Sequence, residues 1–331
     1  VENSVTGVTP EGLLKDLRRL WRDLGRDEEA GVLRACAMTL IAAVIDNVDE
    51  QRLGETTAAL MHEHPSRAIL LRVRAGEPEY LDARVNAQCW MPFGKRQQIC
   101  CEQIEITVGL GQLREAAGLL SGLTVPDLPV VLWCLDPEML ELASFRGVVP
   151  LAGKLIVDGE RAQDSADFLR RLYTLMRKPQ RCADLAWARL TPWRESITQV
   201  FEDATARRIM YDLAEIRIMF AHKEDPVSAY YLAGWFMHVL GGGPHVKIAR
   251  GIGPAYGEIA RISLHGEGFE AALELMDGSS IEMTVNGTSQ RLVFPGRTDY
   301  DALRQELSIV GRDRVYEDVL GLAALMRGVA E

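Results

Sequence analysis

Residues 35–41, Ala35-Cys36-Ala37-Met38-Thr39-Leu40-Ile41, form an almost unbroken apolar run inside a segment from Arg34 to Ile45. An apolar run with little alternation is the pattern of a strand buried on both faces. Downstream, Asp49 to Met61 reads as a helix, and His62-Glu63-His64-Pro65-Ser66-Arg67 leads into a second apolar strand, Ala68–Val73. Strand, helix, strand is a βαβ unit, and it commits this part of the chain to parallel pairing. Upstream, Thr9-Pro10-Glu11 supplies a helix start, and Leu13, Leu14, Leu17, Leu20, Trp21 and Leu24 recur at helical spacing.

A hairpin follows the unit. Gly94-Lys95 suits a two-residue type II′ turn, and that turn fixes the register. Val85 falls opposite Ile104 and Ala83 opposite Ile106 on an apolar face, with Arg84 against Glu105 on the other face. Cys89 falls opposite Cys100. In this register the two form a hydrogen-bonded pair with the wider Cα separation, which is compatible with a redox-active bridge, although buried free thiols are the plainer reading. Pro92 takes a non-hydrogen-bonded site, with no strand on its other side. Glu102 shares the apolar face with Cys100 and Ile104, so its carboxylate must be paired or its pKa raised. An Arg from a neighbouring helix is the expected partner.

The rest of the first half alternates: helix Leu110–Leu120, strand Val130–Leu135, helix Glu138–Phe145, strand Lys154–Asp158, helix Asp164–Met176, with Lys178-Pro179-Gln180 ending the pattern. Residues 1–178 are therefore expected to form an α/β domain with a mostly parallel sheet and one antiparallel hairpin. Residues 179–331 read differently. After a Trp-rich stretch come a strand at Glu215–Phe220 and an apolar helix from Asp225 to Leu240, stopped by Gly241-Gly242-Gly243-Pro244. Five short strands follow (Val246–Arg250, Ile259–His265, Phe269–Met276, Ser280–Val285, Gln290–Phe294), then two helices, Tyr300–Leu307 and Tyr316–Met326. Asp277-Gly278 and Asn286-Gly287 are hairpin signals. This is an α+β domain with a largely antiparallel sheet.

Composition narrows the function. The chain has 331 residues, 47% apolar and 25% charged, which suits two soluble domains. A net charge of −10 argues against a nucleic-acid partner. No apolar run reaches membrane-span length and no signal peptide is evident, so the expected location is the cytoplasm. Six Cys without regular spacing do not make a disulfide framework.

Chemical motifs are few. Gly109-x-Gly111-x-x-Arg114 follows a strand and opens a helix, as a dinucleotide loop does, with Asp136 as a candidate ribose acid. Arg114, however, replaces the third Gly, and the strand before it belongs to a hairpin. His64, Ser66 and Arg67 form either an anion-binding corner or a helix C-terminus meeting cations. The His62-x-His64 pair has no third ligand at metal spacing. No metal, cofactor or catalytic set is expected. Trp187, Arg189, Trp193 and Arg194 combine the residue types that protein interfaces use as anchors. The alternative for this stretch is a helix start, with Thr191 as N-cap, Pro192 as first helical residue and the tryptophans packed internally.

Four runs in order carry a resemblance: His64-Pro65-Ser66-Arg67; Cys100-Cys101-Glu102-Gln103-Ile104; Leu185-x-Trp187-x-Arg189-Leu190-Thr191-Pro192-Trp193-Arg194; and Ala233-Gly234-Trp235. Together they resemble the bacterial glucose-6-phosphate dehydrogenase assembly protein family, OpcA, from about Arg34 to the last helix. The resemblance implies a non-catalytic protein without a cofactor, which binds glucose-6-phosphate dehydrogenase and favours its active oligomer. In photosynthetic members the pair is under thiol control; the cysteines here are not matched to those positions. The competing expectation is a nucleotide- or sugar-phosphate-binding enzyme or sensor built on the first domain, with Arg67, Gly109, Gly111 and Arg114 as its site.

Overall fold

The computed structural model describes residues 3–4, 8–27, 32–45, 50–77, 79–92, 97–177, 181–202, 204–221, 225–251 and 259–326. The turn expected at Gly94-Lys95 and the break at Lys178-Pro179-Gln180 lie outside the described residues. The chain divides into two compact units, Val1–Asp158 with Gln180–Cys182, and Gly159–Pro179 with Ala183–Glu331. The helix expected to end the first domain therefore belongs with the second unit, where it packs against the helices at 227–240 and 314–323. Among the described residues no helix is long and apolar enough to cross a membrane.

In chain order the first unit contains β1 (Asn3–Ser4), α1 (Pro10–Asp27), β2 (Val32–Arg34), β3 (Met38–Ile45), α2 (Glu50–Glu63), β4 (Ser66–Arg74), β5 (Leu81–Trp90), β6 (Gln98–Gly109), α3 (Leu113–Leu123), β7 (Val130–Cys134) and β8 (Lys154–Val157). The sheet order is β1-β5-β6-β4-β3-β7-β8, with β9 (Arg181–Asp184) last and β2 beside β6. Strands β6, β4, β3, β7 and β8 are mutually parallel; β5 runs antiparallel to β6. The expected α/β class is found, in doubly wound form. Successive strands go one way from β3 (β4, β6) and then the other (β7, β8), which puts a topological switch point between β3 and β7. The expected βαβ strand starts later than Arg34. Residues 35–37 leave the ladder, so β2 and β3 are separate strands on different neighbours.

The hairpin register is as expected: Val85 opposite Ile104, Ala83 opposite Ile106, Arg84 opposite Glu105 and Cys89 opposite Cys100. Its phase is not. Ala35 N–H donates to the Cys100 carbonyl at 3.0 Å, so the backbone groups of Cys100 face β2 and away from β5. Cys89–Cys100 is therefore a non-hydrogen-bonded pair, and its Cα atoms are only 4.1 Å apart. In this phase Pro92 would have to offer an N–H to β6. It has none, and β5 ends two residues earlier at Trp90.

The helix expected at Glu138–Phe145 is instead a run of 3₁₀ turns, Pro137–Glu141, Phe145–Gly147 and Val149–Leu151. Met139, Leu142, Phe145 and Val148 recur every third residue, and Met139, Phe145 and Val148 are buried. A three-residue period suits the 3₁₀ helix better than the α-helix.

The second unit contains α4 (Ser165–Met176), α5 (Leu185–Arg189), α6 (Thr191–Val200), α7 (Ala204–Ile209), β10 (Leu213–Phe220), α8 (Val227–Leu240), β11 (His245–Arg250), β12 (Arg261–Gly266), β13 (Phe269–Asp277), β14 (Ser280–Val285), β15 (Thr288–Val293), α9 (Asp299–Ser308) and α10 (Arg314–Ala323). Its sheet runs β11-β10-β12-β13-β14-β15, antiparallel except for the β10–β11 pair joined through α8. This is the expected α+β arrangement. Asn286 (φ 46°) and Gly287 (φ 81°) both take the left-handed conformation that a type I′ hairpin requires. Ile216, Ile218, Phe220, Ile262, Leu264, Phe269, Leu273 and Ile281 form the buried row of this sheet. Helix α8 packs on β10 and β11, and α6 on β13.

Glu105, beside the hairpin register, makes a testable electrostatic case. It is 7% exposed. It accepts from Arg72 at 2.7 Å, Arg84 at 2.8 Å, Asn86 at 3.1 Å and Gln103 at 2.9 Å. Burial works to raise its pKa, but the hydrogen bonds and charges of Arg72 and Arg84 outweigh burial and hold it below the ordinary 4.5. A lowered folded-state pKa contributes stability that is complete above the unfolded value and lost as pH falls through the folded one. Urea unfolding should find Glu105→Gln less stable than the parent at pH 7, with the gap closing as pH falls below 4.5. A gap that stays constant into acid would contradict this account.

Candidate functional site

The switch point is where a doubly wound sheet binds a nucleotide, on backbone amides of a glycine-rich connection. Here residues 46–49, between β3 and α2, lie outside the described residues; their sequence, Asp46-Asn47-Val48-Asp49, contains no glycine. Asp136, considered above as a ribose acid, sits at the end of β7 and accepts from Ile45 N–H at 2.8 Å, holding the two central strand ends together. Gly109 and Gly111 lie at the end of β6, and β4 separates that strand from β3. Gly109 has φ −70°, which any residue adopts. The glycines expected to cradle a phosphate are thus on the wrong strand, and Arg114 lies within α3.

The corner at His64, Ser66 and Arg67 is built inward. Arg67 is 6% exposed. Its Nε donates to Glu102 Oε2 at 2.7 Å and its Nη1 to the Leu123 carbonyl at the end of α3, also at 2.7 Å. Glu102 further accepts from Trp21 Nε1 of α1 at 2.7 Å and pairs with Arg34 at 2.9 Å. The acid expected to meet an Arg from a helix therefore meets two, both from strands, and a helix supplies the tryptophan. Arg67 joins a strand, a helix end and a buried acid, so its guanidinium is turned to internal partners and away from an external anion. His64 N–H closes α2 on the Leu60 carbonyl at 2.7 Å, the helix-terminus alternative. The imidazole Nε2 of His64 and the Ser66 hydroxyl are buried without a hydrogen-bond partner among the described residues.

Cys89 and Cys100 are joined as a disulfide. Cys36, Cys101, Cys134 and Cys182 take no part in a disulfide. Burial pushes the Cys101 thiol up to about 11, so it is not a nucleophile near neutral pH.

The Trp-rich stretch also turns inward, within the second unit. Trp187 and Trp193 are 3% and 5% exposed. Trp187 Nε1 donates to Asp313 at 3.2 Å, and Trp193 meets Phe294 edge-on. Arg189 pairs with Asp299 at 2.7 Å. The Arg194 guanidinium lies 3.5 Å from the centre of the Trp187 ring and donates to Thr191 at 2.9 Å. Burial lowers its pKa to about 10, so it stays charged at neutral pH. The four candidate anchors thus form a packed cation–π and ion-pair assembly rather than an exposed set. The helix-start alternative holds in outline, with Leu190 as N-cap and Thr191 and Pro192 as the first helical residues.

Beneath this assembly lies a residue not singled out from the sequence. Asp184 is fully buried. Its Oδ1 accepts from Gly159 N–H at 2.8 Å and Ala186 N–H at 2.9 Å; its Oδ2 accepts from Tyr231 at 2.8 Å. The Tyr231 and Tyr316 hydroxyls are 3.3 Å apart. Desolvation, aided by Asp184, raises the Tyr231 pKa, so this phenol stays protonated and donates. An N-cap reading of Asp184 before the Leu185 helix was the available sequence signal. A Cβ on Gly159 would fall 2.4 Å from Asp184 Oδ2 and 2.7 Å from Phe168.

Comparison with known proteins bears on what this arrangement serves. Residues 57–174 match the family model described as the N-terminal domain of the glucose-6-phosphate dehydrogenase subunit, and residues 180–320 match the model described as its C-terminal domain. A Synechocystis protein provisionally named OxPP cycle protein OpcA is 27% identical over 235 residues, covering 70% of this chain and 48% of that protein. The Nostoc punctiforme protein of the same name is 27% identical over 175 residues, covering 52% and 37%. The chain thus spans about half the length, or less, of the curated relatives it matches. Among solved structures, biliverdin reductase of Synechocystis aligns over 87% of this chain and 97% of its own at 10% identity, with a TM-score of 0.48.

Two substitutions test the internal reading of these residues. Arg67→Ala leaves Glu102 short of a buried counter-charge and should cost about 3–5 kcal/mol in denaturant unfolding. A loss under 1 kcal/mol would mean that Arg67 is not a structural pair. Gly159→Ala overpacks the site and should cost about 1–3 kcal/mol by the same measurement; an unchanged midpoint would contradict the close approach to Asp184.

Proposed function

The chain belongs to the OpcA family of glucose-6-phosphate dehydrogenase subunits, and from that premise we propose that it is a non-catalytic partner of glucose-6-phosphate dehydrogenase that favours the active oligomer of that enzyme. The ordered match of both family domains, over residues 57–174 and 180–320, carries this reading. The sequence between β3 and α2 adds support. A pyrophosphate needs amide donors and positive potential there, and the sequence offers two aspartates and no glycine. The residues that looked chemically capable, Arg67, Glu102, Arg189 and Arg194, are held in internal pairs.

Activation without chemistry is differential binding. A partner that binds the competent state of an enzyme more tightly shifts the population toward it, and a tenfold shift requires about 1.4 kcal/mol of preference. A rigid scaffold suits that task, because its own ordering costs little of the available affinity.

The test is titration of the chain into glucose-6-phosphate dehydrogenase from the same source, following NADPH formation and co-elution together. Saturable co-elution with a rise in rate is expected; neither at micromolar protein would overturn the proposal. Trp193→Ala should lower stability by about 3–5 kcal/mol. Measured below its melting temperature, that variant should still bind the dehydrogenase, because the tryptophan is interior. Loss of binding by a folded Trp193→Ala protein would restore it as a contact residue.

A further inference from the structure

One face of the second-unit sheet holds the core. The other carries mostly exposed or partly exposed side chains, with Ser263 at its centre and Ser280 buried. Ladder pairing arranges this open face in rows. One row reads Ala249, Met219, Arg261, Glu274, Glu282, Arg291, from β11 across to β15. The next reads Lys247, Arg217, Ser263, Ala272, Thr284, Ser289. A third reads His245, Glu215, His265, Glu270. Met276 and Val293, 47% and 86% exposed, extend the same face.

The charges are divided across it. Strands β11, β10 and β12 contribute Lys247, Arg217 and Arg261 against Glu215 alone. Strands β13, β14 and β15 contribute Glu270, Glu274, Asp277 and Glu282 against Arg291 alone. Glu274 and Glu282 are directly opposed, a like-charge pair that destabilises an isolated sheet. Arg261 reaches Glu274 at 2.8 Å, whereas Arg291 turns to Asp277 and Ser280.

We propose that this face is a homodimer interface, in which a second copy of the chain packs sheet on sheet about a twofold axis parallel to the strands and between β12 and β13. That axis exchanges β12 with β13, β10 with β14 and β11 with β15. It sets the cationic half of each copy on the acidic half of the other. Arg261 then faces Glu274, His265 faces Glu270, and Ser263 faces Ala272. The small pair allows close approach at the centre. Met219 arrives over Glu282 with Arg261 beside it, so the like-charge pair gains a cation from across the interface. The other in-plane axis, perpendicular to the strands, would lay each strand on its own copy. That choice stacks acid on acid along β13 and is disfavoured. Self-complementarity about one axis is what an isologous interface requires. Six strands at ~4.8 Å spacing and six residues at ~3.3 Å rise give a face roughly 30 Å by 20 Å, on the scale of the ~800 Å² per partner of a standard interface.

The inference concerns the chain alone and does not depend on the proposed dehydrogenase partner. Light scattering on the purified 331-residue chain across 1–50 μM should give twice the 36.8 kDa chain mass at the upper end. Raising salt from 0.05 to 0.5 M should shift the equilibrium toward monomer. Ala272→Arg, at a partly buried position, should give monomer at 50 μM and melt like the parent at dilutions where the parent is itself monomeric. Arg261→Glu should weaken the dimer at least tenfold, and Arg261→Glu with Glu274→Arg should recover it. A monomeric parent at 50 μM, or a dimer indifferent to Ala272→Arg, overturns the proposal. A monomer whose open face becomes protected from hydrogen exchange only on adding the dehydrogenase also overturns it and assigns the face to that enzyme.

Discussion

The carboxylate of Asp184 has no exposure and accepts hydrogen bonds from Gly159, Ala186 and Tyr231. A buried charge with fewer donors would neutralise or disrupt its surroundings, so each of these elements is obliged to be where it is. The chain at Gly159 must lack a side chain, α5 must start at Leu185, and α8 must present Tyr231 inward. Tyr316 on α10 then follows Tyr231, and Trp187 packs edge-on to Tyr231 and tilted to Tyr316. The aromatic cluster of the second unit is organised around one acid.

The first unit repeats the device with different parts. Glu102 lies on a strand face that is otherwise apolar, and its partners come from α1, β2 and β4. Because Arg67 also reaches the end of α3, that one guanidinium ties helix packing to strand register. Ion pairs of this kind are weak contributors to net stability, yet removing one member is costly. They act chiefly to exclude alternatives in which the acid would be unpaired.

How much of this was legible in the sequence follows from the physics of each signal. The hairpin register was readable because a one-residue slip would put Ile104 and Ile106 on the wrong face. The ladder phase was not, since it depended on β2 and the Ala35 N–H pairing with β6, a contact no local pattern encodes. The doubly wound order was hidden for a related reason: its usual marker is a glycine-rich connection, and Asp46-Asn47-Val48-Asp49 has none. The tryptophans misled in an instructive way. A Trp beneath an Arg is good chemistry at an interface and equally good inside a domain, and composition cannot tell the two apart. Glu102 stood out because it was a charge on an apolar face. Asp184 did not, because an acid before a helix is ordinary.

The bond between Cys89 and Cys100 has a consequence for the margin of the first sheet. Beyond β5 lies only β1 among the described residues, paired at Val85 and Arg84, so β5 is close to being the rim of the sheet. Rim strands invite exchange, since an intruding chain can displace the outermost strand and take its hydrogen bonds. A covalent rivet between β5 and its inner neighbour forbids that exchange at the end of the ladder where β1 does not reach. The rivet serves as a barrier to strand invasion, and the rim keeps one pairing for as long as the bond is intact.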